Sequence, residues 1–225
     1  MALRRVHSSL ESNALVEFDM RPPINSSRVD DVSIEDLLSG AGFSVDRAGS
    51  CATAFRCRRV HTLADSVGAN MRVLLVGLNP SLHAAEVGFG FAGASNRFWP
   101  AALESGLVSC AKDPERALAL DHVGMTDLVK HATARASELN SAHYRDGLGR
   151  LNRLVIWLQP TAVCVVGITG WRAAIEDKGA TLGWQDTNIG SRPTLVMPNP
   201  SGLNAHTNHQ DLVARFVELL AAVTV

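Results

Sequence analysis

Three short apolar runs punctuate the chain, at residues 72–76, 161–166 and 194–197, and a glycine or proline follows each at its carboxyl end. Brief runs rich in Val and Leu, without polar alternation, read as strands buried on both faces. Between them lie stretches with helical spacing. Leu148, Leu151, Leu154, Val155 and Leu158 share one stripe of a helix expected over about 141–158, ended by Pro160. Shorter helices are expected around 33–38, opened by Ser33 with Asp36 and closed by Gly40, and from Asp113-Pro114-Glu115 through Leu120. Two more are expected around 171–177 and over about 208–222, while 123–129 reads as extended or looped. Strands alternating with helices predict an α/β chain of three layers, α/β/α, around a central, mostly parallel sheet.

The end of the first run carries the strongest signal. Gly77-Leu78-Asn79-Pro80 stops the strand, because proline has no ladder donor and biases Asn79 toward an extended conformation. One polar amide is thereby held at the carboxyl end of a core strand, where open α/β sheets place their ligand crevice. A glycine- and phenylalanine-rich loop follows, Gly88-Phe89-Gly90-Phe91-Ala92-Gly93. Ser95-Asn96 then caps a helix carrying Phe98, Trp99, Ala102 and Leu103. Residues 194–197 repeat the logic, broken by Pro198-Asn199-Pro200-Ser201-Gly202-Leu203-Asn204. Taken alone, Asn-Pro after a strand is an ordinary turn; two such ends can face one crevice. Gly88-x-Gly90-x-x-Gly93 matches the dinucleotide fingerprint in letters only. Eleven residues, 77 to 87, part it from the strand it would have to follow directly.

Composition narrows the classes. Hydrophobic residues make up 46% and charged residues 19%, enough apolar content for a core, and no run approaches the roughly 18 apolar residues of a membrane span. The N-terminus lacks a continuous apolar segment, since Glu11, Glu17 and Asp19 interrupt it, so a cytoplasmic protein is expected, at the nucleoid if bacterial. Net charge is −1, with 13 basic against 14 acidic residues over 62–225. Bulk charge thus announces no nucleic-acid binder, although backbone N–H groups can also bind phosphate. Four cysteines without a Cys-x-x-Cys pair argue against a disulfide framework, and Cys164 reads as a buried small hydrophobe. Cys51, Cys57 and His61 lack a fourth partner for a metal site. Arg56, Arg58 and Arg59 lie on a strand or arm, as a solvated face or a phosphate contact. His206 and His209 read as exposed residues at a helix start.

Gly77-Leu78-Asn79-Pro80, Gly88-Phe89-Gly90-Phe91, Asn96-Arg97-Phe98-Trp99 and Pro198-Asn199-Pro200-Ser201-Gly202-Leu203 follow one another in an order and spacing that resembles a family. Together with Thr62-Leu63-Ala64-Asp65 and Gly124-Met125-Thr126-Asp127-Leu128-Val129, they are similar to the mismatch-specific uracil/thymine-DNA glycosylases, a branch of the uracil-DNA glycosylase superfamily. The resemblance covers about residues 62–222. Residues 1–61 form an N-terminal extension, partly ordered and of unknown role, ahead of a glycosylase domain at 62–225. The motif region reads as self-contained, so the extension is expected to be dispensable for folding.

The resemblance implies a monofunctional enzyme that flips uracil, and thymine as a second substrate, from mismatches with guanine and hydrolyses the N-glycosidic bond. It implies double-stranded DNA containing uracil or mismatches as the partner, a monomer, no membrane, and no metal or organic cofactor. By similarity Asn79 positions the attacking water, Phe91 stacks on the base, and Leu78, Ala84 and Asn199 complete the base pocket. Gly202, Leu203 and Asn204 form a wedge that enters the stack, with Leu203 as its apolar tip. Three positions depart from the pattern. Ser81 replaces the usual glycine after Asn-Pro, Ala84 matches thymine-processing relatives, and Ala205 stands where some relatives carry a basic residue. Rival readings are a glycosylase for another deaminated base such as hypoxanthine, a non-catalytic DNA-damage-binding protein, and a nucleoside binder.

Overall fold

The computed structural model describes residues 2–20, 31–49 and 54–223. In chain order the elements are α1 (Ala2–Ser9), β1 (Leu15–Asp19), α2 (Asp31–Gly40), β2 (Phe43–Val45), β3 (Ala54–Arg59), β4 (Val73–Gly77), α3 (Leu82–Val87) and α4 (Phe98–Glu104). They continue with α5 (Pro114–Asp121), β5 (Val123–Asp127), α6 (Ser141–Leu158), β6 (Ala162–Val166), α7 (Ile168–Ala174), β7 (Gly183–Trp184), β8 (Thr194–Met197) and α8 (His209–Val223). The central sheet has the order β5-β4-β6-β8-β7; all neighbours are parallel except the two-residue β7, antiparallel to β8.

Strand alternation builds the three layers. Val73, Leu75, Cys164, Val166, Leu195 and Met197 face one side, where α4 and α8 cover them with Phe98, Trp99, Leu212 and Phe216. Leu74, Val76, Val163, Val165 and Val196 face the other, against Leu151 and Val155 of α6 and Trp171 of α7. Successive side chains of a strand point to opposite faces, so each apolar run feeds both cores at once. The α/β/α architecture expected from the sequence is the one that forms.

Local chemistry fixes the helix ends. Asp113 accepts from the Arg116 N–H at 2.9 Å ahead of Pro114, as its place before a helix predicts. Asn140 and His143 close a reciprocal capping box on α6, and Gln159 ends that helix at φ 51, just before Pro160. The helix expected near 171–177 starts earlier, at Ile168, because Gly167 at φ 117 turns the chain directly out of β6. Residues 123–129 contain a true strand, β5. Its Gly124 hides the pattern: a Cβ there would lie 2.1 Å from Met71 Sδ, so a side chain at this position would force Met71 to move.

Residues 2–59 hold more structure than their sequence suggests. β1, β3 and β2 form an antiparallel sheet in that order, and Phe43, Phe55, Cys57, Ile34 and Leu38 pack as its core. α2 begins at Asp31, so Ser33 lies within the helix rather than ahead of it. Arg56 and Arg58 lie on the exposed face of β3, while Phe55 and Cys57 point inward. Arg21-Pro22-Pro23-Ile24-Asn25-Ser26-Ser27, whose composition reads as a linker, lies outside the described residues, as does Cys51.

This unit is bound to the rest by several contacts. Arg153 of α6 donates twice to the Asp36 carboxylate, at 2.6 and 2.9 Å, and the Asp65 N–H donates to the Gly40 carbonyl at 2.8 Å. No helix among the described residues is long and apolar enough to cross a membrane.

α6 sits against the end of β5 at backbone distance. A Cβ on Gly147 would lie 2.2 Å from the Leu128 carbonyl oxygen. Gly147→Ala is expected to destabilise the protein by about 1–3 kcal/mol despite alanine's better helix propensity. A lower denaturant midpoint with unchanged m-value will show it.

Candidate active site

The four parallel strands deliver their carboxyl ends to one crevice. Asn79 beyond β4, Asp127 at the end of β5, Val166 at the end of β6 and Asn199 beyond β8 all line a cavity of about 330 Å³. Leu78, Ala84, Phe91 and Asn96 also border it. A larger hollow of about 480 Å³, between α1, α2 and the end of α6, is mainly apolar and is reached by none of these residues.

Asn79 is held by its amide nitrogen. Nδ2 donates to the carbonyls of Pro80 at 3.1 Å and His131 at 3.0 Å, and to Thr133 Oγ1 at 2.8 Å. Two of these partners are carbonyl oxygens that only accept, so the nitrogen must face them. The amide oxygen has no hydrogen bond among the described residues, and the residue borders the cavity. The clamp is reinforced by the backbone, where the Thr133 N–H donates to the Pro80 carbonyl at 3.1 Å. His131 and Thr133 carry no motif and lie over fifty residues away, which is why the sequence does not flag them. Ser81 has a positive use: its hydroxyl caps α3 by accepting from the Ala84 N–H at 3.1 Å.

Phe91 stacks on Phe98 with ring centroids 4.0 Å apart and planes 14° off parallel. Its backbone is left-handed at φ 57, unusual for a bulky residue. Ala84 is buried, at 3% exposure. Leu78 turns its side chain toward α7, where a Cβ on Gly170 would lie 2.4 Å from Leu78 Cδ1.

The loop after β8 is tied together internally. Asn199 Oδ1 accepts from the Ser201 N–H at 3.0 Å. Asn204 Nδ2 donates to the Asn199 carbonyl and Thr207 Oγ1, at 3.0 and 3.1 Å, and its Oδ1 accepts from the His206 N–H at 3.2 Å. Both ends of the Asn204 amide thus bond within the loop. Gly202 lies against Ser95, whose carbonyl oxygen would be 2.7 Å from an added Cβ. Leu203 is an apolar side chain left 94% exposed. Beneath, Arg97 donates to the carbonyls of Ser201 at 2.8 Å and Asn204 at 2.9 Å, and to that of Thr207. His209 pairs with Glu104 at 2.7 Å.

The family model described as "Uracil DNA glycosylase superfamily" matches residues 64–221. The chain belongs to that superfamily. This makes the protein a DNA glycosylase, a hydrolase of N-glycosyl bonds. Among solved structures it is similar to the solution NMR structure of a "putative Uracil DNA glycosylase" from Methanosarcina acetivorans, at 16% identity and a TM-score of 0.49. That match covers 71% of this chain and 98% of the other.

The glycosylase also carries an acid that sequence reading left unassigned. Asp127 is paired in register with Gly77, and a Cβ on Gly77 would lie 2.5 Å from Asp127 Oδ1. Only glycine at the end of β4 admits this carboxyl to the cavity wall. Burial pushes Asp127 up to about 6; Lys130, with Nζ 3.8 Å from Oδ2, opposes the shift, and Asp65 adds to it. The signal was visible only as one residue inside a quoted motif.

The raised value sets a pH dependence. The folded state binds this proton more tightly than the unfolded chain, so Asp127's contribution to stability falls as pH rises from 3.8 to about 6 and stays lost above. Asp127→Asn is therefore expected to stabilise the protein at pH 7.5 by on the order of 2 kcal/mol. The advantage should shrink as pH falls toward 4, as denaturant unfolding at the two pH values will report.

Proposed function

We propose that this glycosylase flips uracil, and thymine as a slower second substrate, out of mismatches with guanine and hydrolyses the N-glycosidic bond, initiating base excision repair. The observation that carries the reading is the Asn79 side chain at the cavity wall, its two amide N–H groups shared among three acceptors and its oxygen without a hydrogen bond among the described residues. A cavity of about 330 Å³ is at the lower end of the roughly 300–1,000 Å³ usual for small-ligand pockets. That size suits a single flipped nucleotide.

In this reading Asn79 Oδ1 accepts a hydrogen bond from the attacking water and aims it at C1′. The glycosidic bond breaks with its electron pair going to the base, water oxygen bonds C1′, and the released proton neutralises the base. A neutral amide is a weak base, so it acts by positioning and turnover is slow. Phe91, backed by Phe98, offers a fixed ring plane for stacking. The Ala84 methyl leaves space for a 5-methyl group, which supports thymine as a substrate. Leu203, exposed on a loop whose polar atoms are largely satisfied internally, suits a wedge that fills the vacated stack. A second reading, excision of hypoxanthine, is equally compatible with Asp127. An ionised carboxylate accepts from the ring N–H that uracil and hypoxanthine share, and so does not separate them.

Single-turnover release, read as alkali-induced strand scission, should rank U:G above T:G and U:A, with hypoxanthine:C measured alongside. Hypoxanthine:C cleaved fastest would favour the second reading, and tight binding of uracil DNA without scission would indicate a damage-binding protein. Asn79→Ala should lower the rate about a hundredfold or more, the scale of losing one preorganised polar group, while duplex binding persists. Leu203→Ala should cost about tenfold in duplex and little in single strands, because the wedge offsets an unstacking cost of a few kcal/mol.

A further inference from the structure

The N-terminal unit reaches the active-site loop through the side chain of Arg4. Arg4, on α1, is 8% exposed; its Nη1 donates to the Ala64 carbonyl at 2.6 Å and its Nη2 to the Gly88 carbonyl. Gly88 closes α3 at φ 80 and opens the loop 88–93 that carries Phe91. The Gly88 N–H itself donates to the Ala84 carbonyl at 3.0 Å, and two further bonds pin the rest of the loop. Trp99 Nε1 donates to the Gly90 carbonyl and the Asn96 N–H to the Gly93 carbonyl, each at 2.9 Å. Both donors lie just downstream of the loop, whereas Arg4 arrives from 84 residues away. Phe91 sits between these ties in a left-handed conformation that a phenylalanine holds only where its surroundings impose it.

α1 is itself firmly seated. His7 Nε2 lies 3.0 Å from the Val60 carbonyl and its ring meets the edge of Phe43 at 5.6 Å. Gly42 makes the room, since a Cβ there would be 2.5 Å from the imidazole. Glu115 of α5 flanks the same turn, 3.9 Å from Arg4 and 3.2 Å from Arg5.

We propose that Arg4 is a positioning residue for base excision. By tying Gly88 to the N-terminal unit, it sets the height of the 88–93 loop and the plane of the Phe91 ring against the flipped base. The inference rests on the glycosylase reading of the cavity, and it gives residues 2–59 a role in the reaction rather than in folding alone. A guanidinium is needed because its planar fork reaches two carbonyls at once, which a lysine ammonium does not reproduce.

The test uses the full chain with Arg4→Ala, Arg4→Lys and, as a control that keeps both carbonyl bonds, Glu115→Gln. Arg4→Ala should slow single-turnover uracil release about tenfold or more, the scale of a misplaced reacting group. Its duplex affinity should stay within about twofold, because the loop acts after the base has flipped. Arg4→Lys should recover part of the rate, and Glu115→Gln should match the parent. Hydrogen exchange of amides 88–93 should rise in Arg4→Ala while β4 and β6 stay protected. Unchanged rate and unchanged loop exchange would overturn the proposal, as would a loss confined to duplex affinity or a uniform rise in exchange across the sheet. A parent chain that releases no uracil would sink the uracil reading instead, and loop exchange would still decide whether Arg4 holds the loop.

Discussion

Asp65 is the point at which the two parts of the chain and the end of β5 are joined. Its Oδ1 accepts from Lys130 Nζ and Thr126 Oγ1, both at 2.7 Å, its Oδ2 from Arg150 Nη1 at 3.1 Å, and its N–H reaches Gly40 in the N-terminal unit. Arg150 completes the circuit by donating to the Asp127 carbonyl at 2.9 Å. A buried ion pair gains little net energy over apolar packing, yet removing one partner costs about 3–5 kcal/mol because the other charge is stranded. Such a cluster therefore selects one arrangement more than it stabilises. Here it fixes α2, β5 and α6 with respect to each other, and it puts the Asp127 carboxyl beside two cations at the cavity wall.

The cavity inherits its accuracy from the sheet. Asn79, Asp127 and Asn199 leave from strand ends whose registers are set by parallel ladders, and rigid elements hold reacting groups better than free loops do. The two loops that do contribute are pinned by arginines acting on backbone carbonyls, Arg97 on the loop after β8 and Arg4 on the loop after α3. Both make their shortest contacts to neutral carbonyls, with Glu115 lying 3.9 Å from Arg4. Their work is geometric, since one guanidinium can gather several carbonyls that belong to no regular element.

Much of this was legible from residues close in sequence. The apolar runs gave β4, β6 and β8, the leucine stripe gave α6 with both its ends, and Asn79-Pro80 marked the crevice because a strand stop is a local event. Features set by distant neighbours were not. β5 was obscured by Gly124, whose identity answers to Met71, and β1 alternates between half-buried and exposed positions with too weak an apolar contrast to stand out. Asp127, Thr133 and Arg4 have roles defined by partners 50 or more residues away, so no window of sequence contains both halves of the contact. Arg97 lay inside a recognised motif, but its grip on Ser201 and Asn204 appears only when the helix and the loop are brought together.

The central sheet also ends quietly on both sides. Along β5 the outer edge is met by Ser66, which exchanges two 2.8 Å hydrogen bonds with Met125, and beyond β8 the sheet stops at the two residues of β7, running the opposite way. An open strand edge is a template on which another chain can add itself. Here one border is bridged at its centre, at Met125, and the other is too short and of the wrong polarity to extend the parallel ladder. Copies of this protein meeting at high concentration therefore find little backbone on the core sheet to pair with, and resistance to edge-to-edge aggregation follows from the same strand order that gathers the active site.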